Sequence, residues 1–134
     1  MIVVDTSALV AVVFGEPERE AFLGLMRRKR RVLVSTPSVV ETHLVVHGRR
    51  GQRAVVLLDD LLRLPLFEMV PPGEAETHAA YAAFVAFGKG SGHPAGLNFG
   101  DLFAYVSGAF RKSREFGGLI VMDFLRRFSS AAFL

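Results

Sequence analysis

The sequence predicts an α/β fold in which helices cover both faces of a parallel sheet. Short apolar runs alternate along the chain with longer segments whose apolar residues have helical spacing. This order of elements is typical of parallel sheets. The chain has 134 residues, of which 51% are hydrophobic. That size and composition fit a single domain, residues 1–134, with a substantial buried core.

Four apolar runs are predicted to be strands. They cover residues 1–4, 32–34, 67–70 and 119–122. Each run is short and mostly apolar, which is typical of strands that are buried on both faces. The sequence contains no internal repeat and no linker that would divide the chain. We therefore expect these strands to belong to one domain.

The segments between the strands are predicted to be helices. They cover residues 6–14, residues 16 to about 31, residues 36 to about 48, residues 53–64, residues 74–87 and a last helix that begins at Asn98. Gly15 and Pro65 are expected to end two of these helices, because glycine favours the left-handed C-cap and proline cannot continue a helix. Gly48 and Gly51 are expected to break the helix that follows Pro37.

Positive charge is concentrated in three short blocks. The net charge is +3 and the isoelectric point is about 9.8, and basic residues cluster at 27–31, 49–53 and 111–114. Such blocks can contact the phosphates of nucleic acids. They are also common at solvated helix ends, where cations offset the helix dipole. We prefer the second interpretation for any single block.

Composition excludes several classes of protein. The chain has no cysteine, so it has neither a disulfide framework nor a thiolate zinc site. The apolar residues 1–4 are followed at once by Asp5 and lack a preceding basic segment, unlike a signal peptide. No uncharged run approaches the ~20 residues of a membrane helix. We therefore expect a soluble, cytoplasmic protein without a membrane partner.

Three acidic residues lie close after predicted strands. Asp5 directly follows the first strand, Glu41 lies in the helix after the second, and Asp101 lies in the helix after the glycine-rich loop 89–96. Open parallel sheets bind ligands at the carboxyl ends of their strands. If the three carboxylates converge, a cation must relieve their repulsion, and oxygen ligands favour Mg²⁺ or Mn²⁺. One or two such ions would activate water and stabilise charge during phosphodiester hydrolysis.

Each acid also has a structural interpretation. Asp5 can cap the first helix, and Asn98 and Asp101 have the spacing of a capping box. Glu41 is harder to explain in this way, because its predicted helix face is apolar. A carboxylate on an apolar face costs several kcal/mol unless it is paired or bound to a metal.

Three segments resemble the motifs of a known family. Residues 2–8 (IVVDTSA), residues 38–41 (SVVE) and residues 88–105, which include GKG and HPAGLNFGD, are similar to the motifs of VapC-type toxins. These toxins are the PIN-domain ribonucleases of type II toxin–antitoxin pairs. The resemblance implies a three-layer α/β/α PIN-like fold with a central, mainly parallel sheet of four to five strands. It also implies Mg²⁺- or Mn²⁺-dependent endoribonuclease activity, homodimerisation and a cognate antitoxin.

The resemblance assigns roles to individual positions. Asp5, Glu41 and Asp101 correspond to the family's catalytic, metal-binding acids. Thr6 or Ser7 would support the metal shell through a hydroxyl group or a water molecule. Water activated by the metal would attack an RNA phosphodiester, so no side-chain nucleophile is needed.

Several residues are candidates for contacting the RNA. The block 27–31 or Lys89 would hold the backbone through contacts that weaken with salt. His93 lies in the loop beside the proposed site, although a structural loop residue is the preferred interpretation. Aromatic residues such as Phe84 and Phe99 can stack on unpaired bases, but at helical spacing they are more typical of a core.

The chain departs from the family pattern from about residue 111 onward. Asp123 is a candidate fourth catalytic acid and metal ligand, but the Gly-Asp and Thr-Asp pairs usual in the family are missing around it. A shifted reading frame and a genuinely divergent tail both remain open. The alternative function is a PIN domain that binds an antitoxin or RNA without cleaving, and the position of Asp123 would discriminate between the two.

Two further functional interpretations fit the sequence less well. His43 and His47 have the i, i+4 spacing of a helical metal pair. No glutamate follows His43, however, and its neighbours are predicted to pack, so structural histidines are preferred. Asp5 after a strand also resembles the nucleophile of enzymes that form an aspartyl-phosphate. Those enzymes have a second acid where Ser7 stands here, which argues against this function.

Overall fold

The computed structural model describes residues 1–112 and 119–121. Strands and helices alternate in these ranges. In chain order they are β1 (Ile2–Val4), α1 (Thr6–Phe14), α2 (Arg19–Lys29), β2 (Val32–Ser35), α3 (Thr36–Leu62), β3 (Phe67–Val70), α4 (Glu74–Phe87), α5 (Phe99–Lys112) and β4 (Leu119–Val121). Most elements therefore form within a few residues of their predicted positions.

The four described strands form one sheet in the order β3-β2-β1-β4, and every pairing is parallel. Val3 in β1 pairs with Leu33 in β2 and with Ile120 in β4. The described ranges contain no fifth strand. Asp5 follows β1 and Ser35 ends β2, so α1 and α3 begin at the same edge of the sheet. The predicted α/β fold with a parallel sheet is confirmed.

Helices cover both faces of this sheet. Side chains alternate along β1, so Ile2 and Val4 pack in one apolar cluster while Val3 packs in another. The first cluster also contains buried residues of α1, α2 and α3, and the second contains buried residues of α4 and α5. The result is the three-layer arrangement that the family resemblance implied.

The predicted break of α3 at Gly48 is wrong. The helix continues through Gly48 and departs from helical geometry at Gly51, with φ 72° and ψ −170°. Glycine within a helix costs only about 1 kcal/mol relative to alanine, an amount that packing readily offsets. Gly51 adopts a positive φ that other residues rarely adopt. The predicted separation into two helical segments therefore occurs, but at Gly51 alone.

The bend at Gly51 folds α3 back on itself. We call residues 36–50 the first arm of α3 and residues 52–62 the second arm. His43 in the first arm contacts Asp59 in the second arm, with 2.7 Å between Nε2 and Oδ1. Within the described residues, no helix is both long and apolar enough to cross a membrane.

Candidate active site

Asp5 is buried at the carboxyl end of β1, where it caps α1. Only 1% of its surface is exposed. Its Oδ1 accepts a hydrogen bond of 2.9 Å from the backbone N–H of Ala8, and the Ser7 hydroxyl lies 3.0 Å from both carboxylate oxygens. The predicted capping role is confirmed. Charge-assisted bonds of this kind stabilise an ionised carboxylate, so Ser7 helps to hold and orient Asp5.

Glu41 is held by a threonine and lies against a glycine. The Thr6 hydroxyl donates a hydrogen bond of 2.6 Å to Glu41 Oε2. A β-carbon at Gly100 would overlap the Glu41 carboxylate, so glycine at this position makes room for it. The predicted apolar surroundings of Glu41 are present only in part: Val10 and Val45 line the same cavity, whereas Val40 and Leu44 are 59% and 69% exposed. Thr6 and the partly solvated setting explain how the charge is accommodated.

Asp101 closes a capping box at the start of α5. The backbone N–H of Asn98 donates to Asp101 Oδ2 at 2.9 Å, and the backbone N–H of Asp101 donates to Asn98 Oδ1 at 3.0 Å. The predicted capping box is therefore confirmed. Ser38 donates from its hydroxyl to the carbonyl oxygen of Gly100 at 3.3 Å, which ties α5 to the first turn of α3.

A cavity of about 260 Å³ brings parts of these elements together at the carboxyl edge of the sheet. We call it the acid cavity. Its lining includes the side chains or backbone of Thr6, Ser7, Glu16, Glu41, Arg49, Asn98 and Asp101. Two of the three predicted acids, Glu41 and Asp101, thus line one cavity. Asp5 is not among the described lining residues, but Ser7 connects it to the cavity.

Two lining residues were not assigned to the site from the sequence, although Arg49 belongs to the basic block 49–53. Glu16 follows the left-handed C-cap Gly15, and its backbone N–H donates to the carbonyl oxygen of Ala11 at 2.9 Å. Arg49 lies eight residues after Glu41 on α3, so the two share a helix face. That spacing is a usable signal for Arg49. The sequence gives only a weak signal for Glu16. An acidic residue is common just before a helix, where it offsets the helix dipole, so its presence after Gly15 does not indicate a site.

The donor chemistry of the acid cavity fits a hard divalent cation. Its carboxylate and hydroxyl oxygens are ligands that Mg²⁺ and Mn²⁺ prefer. Within residues 1–112 and 119–121, however, no three acidic or histidine side chains are close enough to form a ready ligand group. Asp5, Glu41 and Asp101 are each held by donors of the protein instead. Asp123 lies outside the described residues, so its role as a fourth ligand stays a prediction.

His43 has a structural role, as preferred. Its Nδ1 lies 2.8 Å from the carbonyl oxygen of Val39 and its Nε2 lies 2.7 Å from Asp59. Burial lowers the pKa of His43, but its hydrogen bonds to Asp59 and Val39 and the charge of Asp59 outweigh this effect and raise the pKa above the usual 6.5. Both ring nitrogens of His43 are therefore engaged by acceptors of the protein.

The remaining candidates for contacting RNA lie in separate parts of the structure. His93 packs edge-on against Phe87 at 5.0 Å and accepts the N–H of Ala95 on Nδ1, as expected of a structural loop residue. Most of the block 27–31 is exposed at the end of α2. In the second block, Arg49 lines the acid cavity, while the guanidinium of Arg50 lies 4.4 Å from the centre of the Phe14 ring.

Comparison with known proteins identifies the family. A family model described as the PIN domain matches residues 2–113. Ribonuclease VapC30 of Mycobacterium tuberculosis is 41% identical over 103 residues, which are 77% of this chain and 78% of that protein. Ribonuclease VapC28 of the same organism is 36% identical over 104 residues, 78% of each chain. Ribonuclease VapC of Mycolicibacterium smegmatis is 38% identical over 104 residues, 78% of this chain and 80% of that protein.

A solved structure supports the same fold. VapC20 of Mycobacterium tuberculosis, described as a Sarcin-Ricin loop cleaving toxin, superposes with a TM-score of 0.70 over 96% of this chain and 95% of that chain, at 19% identity. The fold and the matched domain model define a PIN domain. The identity to three VapC ribonucleases is more specific. The chain belongs to the VapC family of PIN-domain proteins, and the resemblance found in its sequence is confirmed.

Proposed function

We propose that this protein is a metal-dependent endoribonuclease and the toxin of a type II toxin–antitoxin pair. One observation carries the proposal. In a chain 36–41% identical to VapC ribonucleases, Glu41 and Asp101 line one cavity at the carboxyl edge of the sheet, and Asp5 is linked to it through Ser7. Carboxylates at this edge are suited to a divalent cation and a phosphate.

The proposed metal ligands are Asp5, Glu41 and Asp101, with Asp123 as the fourth. Bound Mg²⁺ or Mn²⁺ would lower the pKa of a water molecule and stabilise the charge that develops on the phosphate. The hydroxyl groups nearby have another role. The hydroxyl groups of Thr6 and Ser7 donate hydrogen bonds to Glu41 and Asp5, so they orient carboxylates and are not themselves activated as nucleophiles.

Arg49 is the proposed contact for the RNA backbone. It is exposed and lines the acid cavity on the same helix face as Glu41. A guanidinium group binds phosphate oxygens in a bidentate geometry. We infer that Arg49 binds a phosphate next to the one that is cleaved, while the carboxylates take the cation.

The proposed partners are RNA, a cognate antitoxin and a second copy of the chain in a homodimer. Exposed apolar side chains on α3 support association, since Val40, Leu44 and Leu57 are between 59% and 69% exposed. Apolar surface of this kind is commonly buried in protein interfaces. Sedimentation of the purified chain, alone and with its antitoxin, tests both associations.

The central test is RNA cleavage with Mn²⁺ and with EDTA. Wild type is expected to cleave only with the cation, and Asp5→Asn, Glu41→Gln and Asp101→Asn are each expected to lose activity. Asp60→Asn is the matched control, because Asp60 is an exposed acid paired with Arg63 on α3. Cleavage by wild type in EDTA, or full activity of Asp5→Asn, would show that the metal mechanism is wrong. A folded wild type that binds RNA but cleaves none would favour the non-cleaving binding module.

A further inference from the structure

A second, larger cavity lies between α4 and α5. It has a volume of about 520 Å³, within the ~300–1,000 Å³ range of small-molecule pockets. We call it the aromatic groove. Its lining includes Tyr81 and Phe84 of α4, Phe99 and Phe103 of α5, and Lys89 and Asn98 of the connecting loop. Four of its ten described lining residues are aromatic.

The aromatic rings are unusually exposed. Tyr81 is 71% exposed, Phe99 is 60% exposed and Phe84 is 45% exposed. Aromatic side chains dominate protein cores because their burial stabilises the fold, so three exposed rings along one groove point to a ligand. Phe103 packs edge-on against Phe99 with 5.1 Å between ring centres. This contact places the two rings side by side along the groove.

The groove opens beside the acid cavity. Asn98 lines both cavities. In the sequence, Phe99 stands directly between Asn98 and the Gly100–Asp101 pair. A strand whose phosphate reaches the acid cavity would therefore place a neighbouring nucleotide at the groove.

The charge of the groove suits an anionic strand. Lys89 lines it, and none of its described lining residues is acidic. The acid cavity, by contrast, carries Glu16, Glu41 and Asp101. A ligand with planar apolar faces and a negatively charged backbone is therefore complementary to the groove without a cation.

We propose that the aromatic groove binds unpaired bases of the RNA strand, next to the phosphodiester that is cleaved. This inference rests on the proposed ribonuclease function and adds to it a site that binds bases. Stacking on aromatic rings accepts any base. Bases within a duplex are already stacked and are presented to proteins mainly through the minor groove, so a duplex leaves the groove empty.

The test measures binding without cleavage. A short single-stranded oligoribonucleotide carrying 2-aminopurine is titrated with the protein in EDTA, and its fluorescence reports stacking. Tyr81→Leu and Phe99→Leu are each expected to weaken binding about 5- to 150-fold and to remove the fluorescence change. Leucine keeps an apolar side chain but lacks the aromatic face. Val85→Ala is the control, since Val85 is 61% exposed on α4 and does not line the groove.

Each outcome decides for or against the groove. Unchanged binding in both leucine variants, or equal binding of a duplex of the same sequence, overturns the proposal. A loss of binding in Phe99→Leu alone also overturns the proposal. Phe99 is two residues from Asp101, so such a loss is explained by a disturbed acid cavity and not by the groove. Tyr81→Leu with normal RNA binding but a disrupted dimer or antitoxin complex would assign the groove to a protein partner. Circular dichroism checks that each variant is folded.

The ribonuclease function and the groove can be disproved independently. Asp5→Asn removes cleavage in the central test, yet it is expected to keep the fluorescence response in EDTA because Tyr81 and Phe99 are unchanged. A wild type that cleaves RNA but gives no fluorescence change in EDTA contradicts the groove alone. A normal groove response in a wild type that never cleaves contradicts the nuclease function alone.

Discussion

Glu41 depends on two small neighbours, Thr6 and Gly100, which act in different ways. Thr6 supplies a hydrogen bond of 2.6 Å, and Gly100 supplies space. Neither residue is proposed to touch the RNA. Residues that orient a metal ligand commonly change metal affinity when they are removed. Substitutions at Thr6 and Gly100 therefore test the role of Glu41 without changing its own carboxylate.

Thr6→Val is expected to raise the Mn²⁺ concentration needed for half-maximal cleavage by about 10- to 100-fold. Valine keeps the shape of threonine but cannot donate to Glu41 Oε2. Thr6→Ser retains the hydroxyl and is expected to restore most of the affinity. The measurement is a Mn²⁺ titration of cleavage rate for the three proteins. Equal Mn²⁺ requirements in wild type and Thr6→Val would remove Thr6 from the metal site.

Gly100→Ala is expected to lower cleavage about 100-fold, because a small displacement of a catalytic group has effects of that size. The added β-carbon would overlap the Glu41 carboxylate and approach the Thr6 hydroxyl to 3.0 Å. Overpacking is also expected to destabilise the fold by about 1–3 kcal/mol.

Gly48→Ala is the matched control for Gly100→Ala. Nothing lies within 4 Å of a β-carbon at Gly48, and its backbone is helical. This change is therefore expected to stabilise the fold by about 0.5–1 kcal/mol with full activity. Thermal unfolding and cleavage rates measure both effects. A fully active Gly100→Ala would mean that Glu41 can move without consequence.

At the scale of elements, α3 is a bent helix whose arms are joined by a pH-sensitive contact. Both ring nitrogens of His43 face acceptors, namely the Val39 carbonyl and the Asp59 carboxylate. A neutral imidazole has one N–H and cannot donate to both. Protonation of His43 therefore completes the pair of hydrogen bonds and adds an ionic attraction to Asp59.

Stability from His43 is expected to be lost as pH rises. Its pKa in the folded protein is above the usual 6.5, so protons bind more tightly to the folded state. The stabilisation is fully present below pH 6.5 and disappears as the pH passes through the raised pKa. Thermal unfolding from about pH 6 to 8 should show this loss in wild type and in His47→Gln, but not in His43→Gln. A similar pH profile in His43→Gln would contradict this account.

At the scale of the whole molecule, the arrangement of elements was largely predictable. Near-continuous apolar runs indicated buried parallel strands, and the C-cap Gly15 marked a helix end correctly. Gly48 was misread because the cost of one glycine in a helix is small compared with the packing around it. Local signals of this kind depend on a few neighbouring residues, which is why they can be read from sequence.

The candidate site was predictable only in part. Asp5 and Asp101 each have a local capping role, and that role was read correctly from spacing. The surroundings of Glu41 were not, because Thr6 and Gly100 reach it from other elements. The convergence of Glu16 with these residues also depends on how α1, α3 and α5 pack. Long-range contacts of this kind leave no pattern in a single sequence.

The distribution of charge over the molecule predicts how RNA binding responds to salt. Arg49 lines the acid cavity, whereas the guanidinium of its neighbour Arg50 lies over the Phe14 ring. Each phosphate neutralised on a single strand contributes about −0.7 to the slope of log affinity against log salt concentration. Arg49→Gln is therefore expected to reduce the magnitude of this slope by about 0.7. Arg50→Gln should leave the slope unchanged.

The salt experiment is best done with single-stranded RNA in EDTA, so that cleavage does not consume the ligand. Affinity is measured for wild type, Arg49→Gln and Arg50→Gln over a series of salt concentrations. Arg49→Lys keeps the charge and is expected to retain the wild-type slope with a lower affinity, because lysine lacks the bidentate geometry. Equal slopes in wild type and Arg49→Gln would place the RNA backbone away from the first arm of α3. A loss shared by Arg49→Gln and Arg50→Gln would instead indicate a diffuse basic surface, in which no single arginine positions the strand.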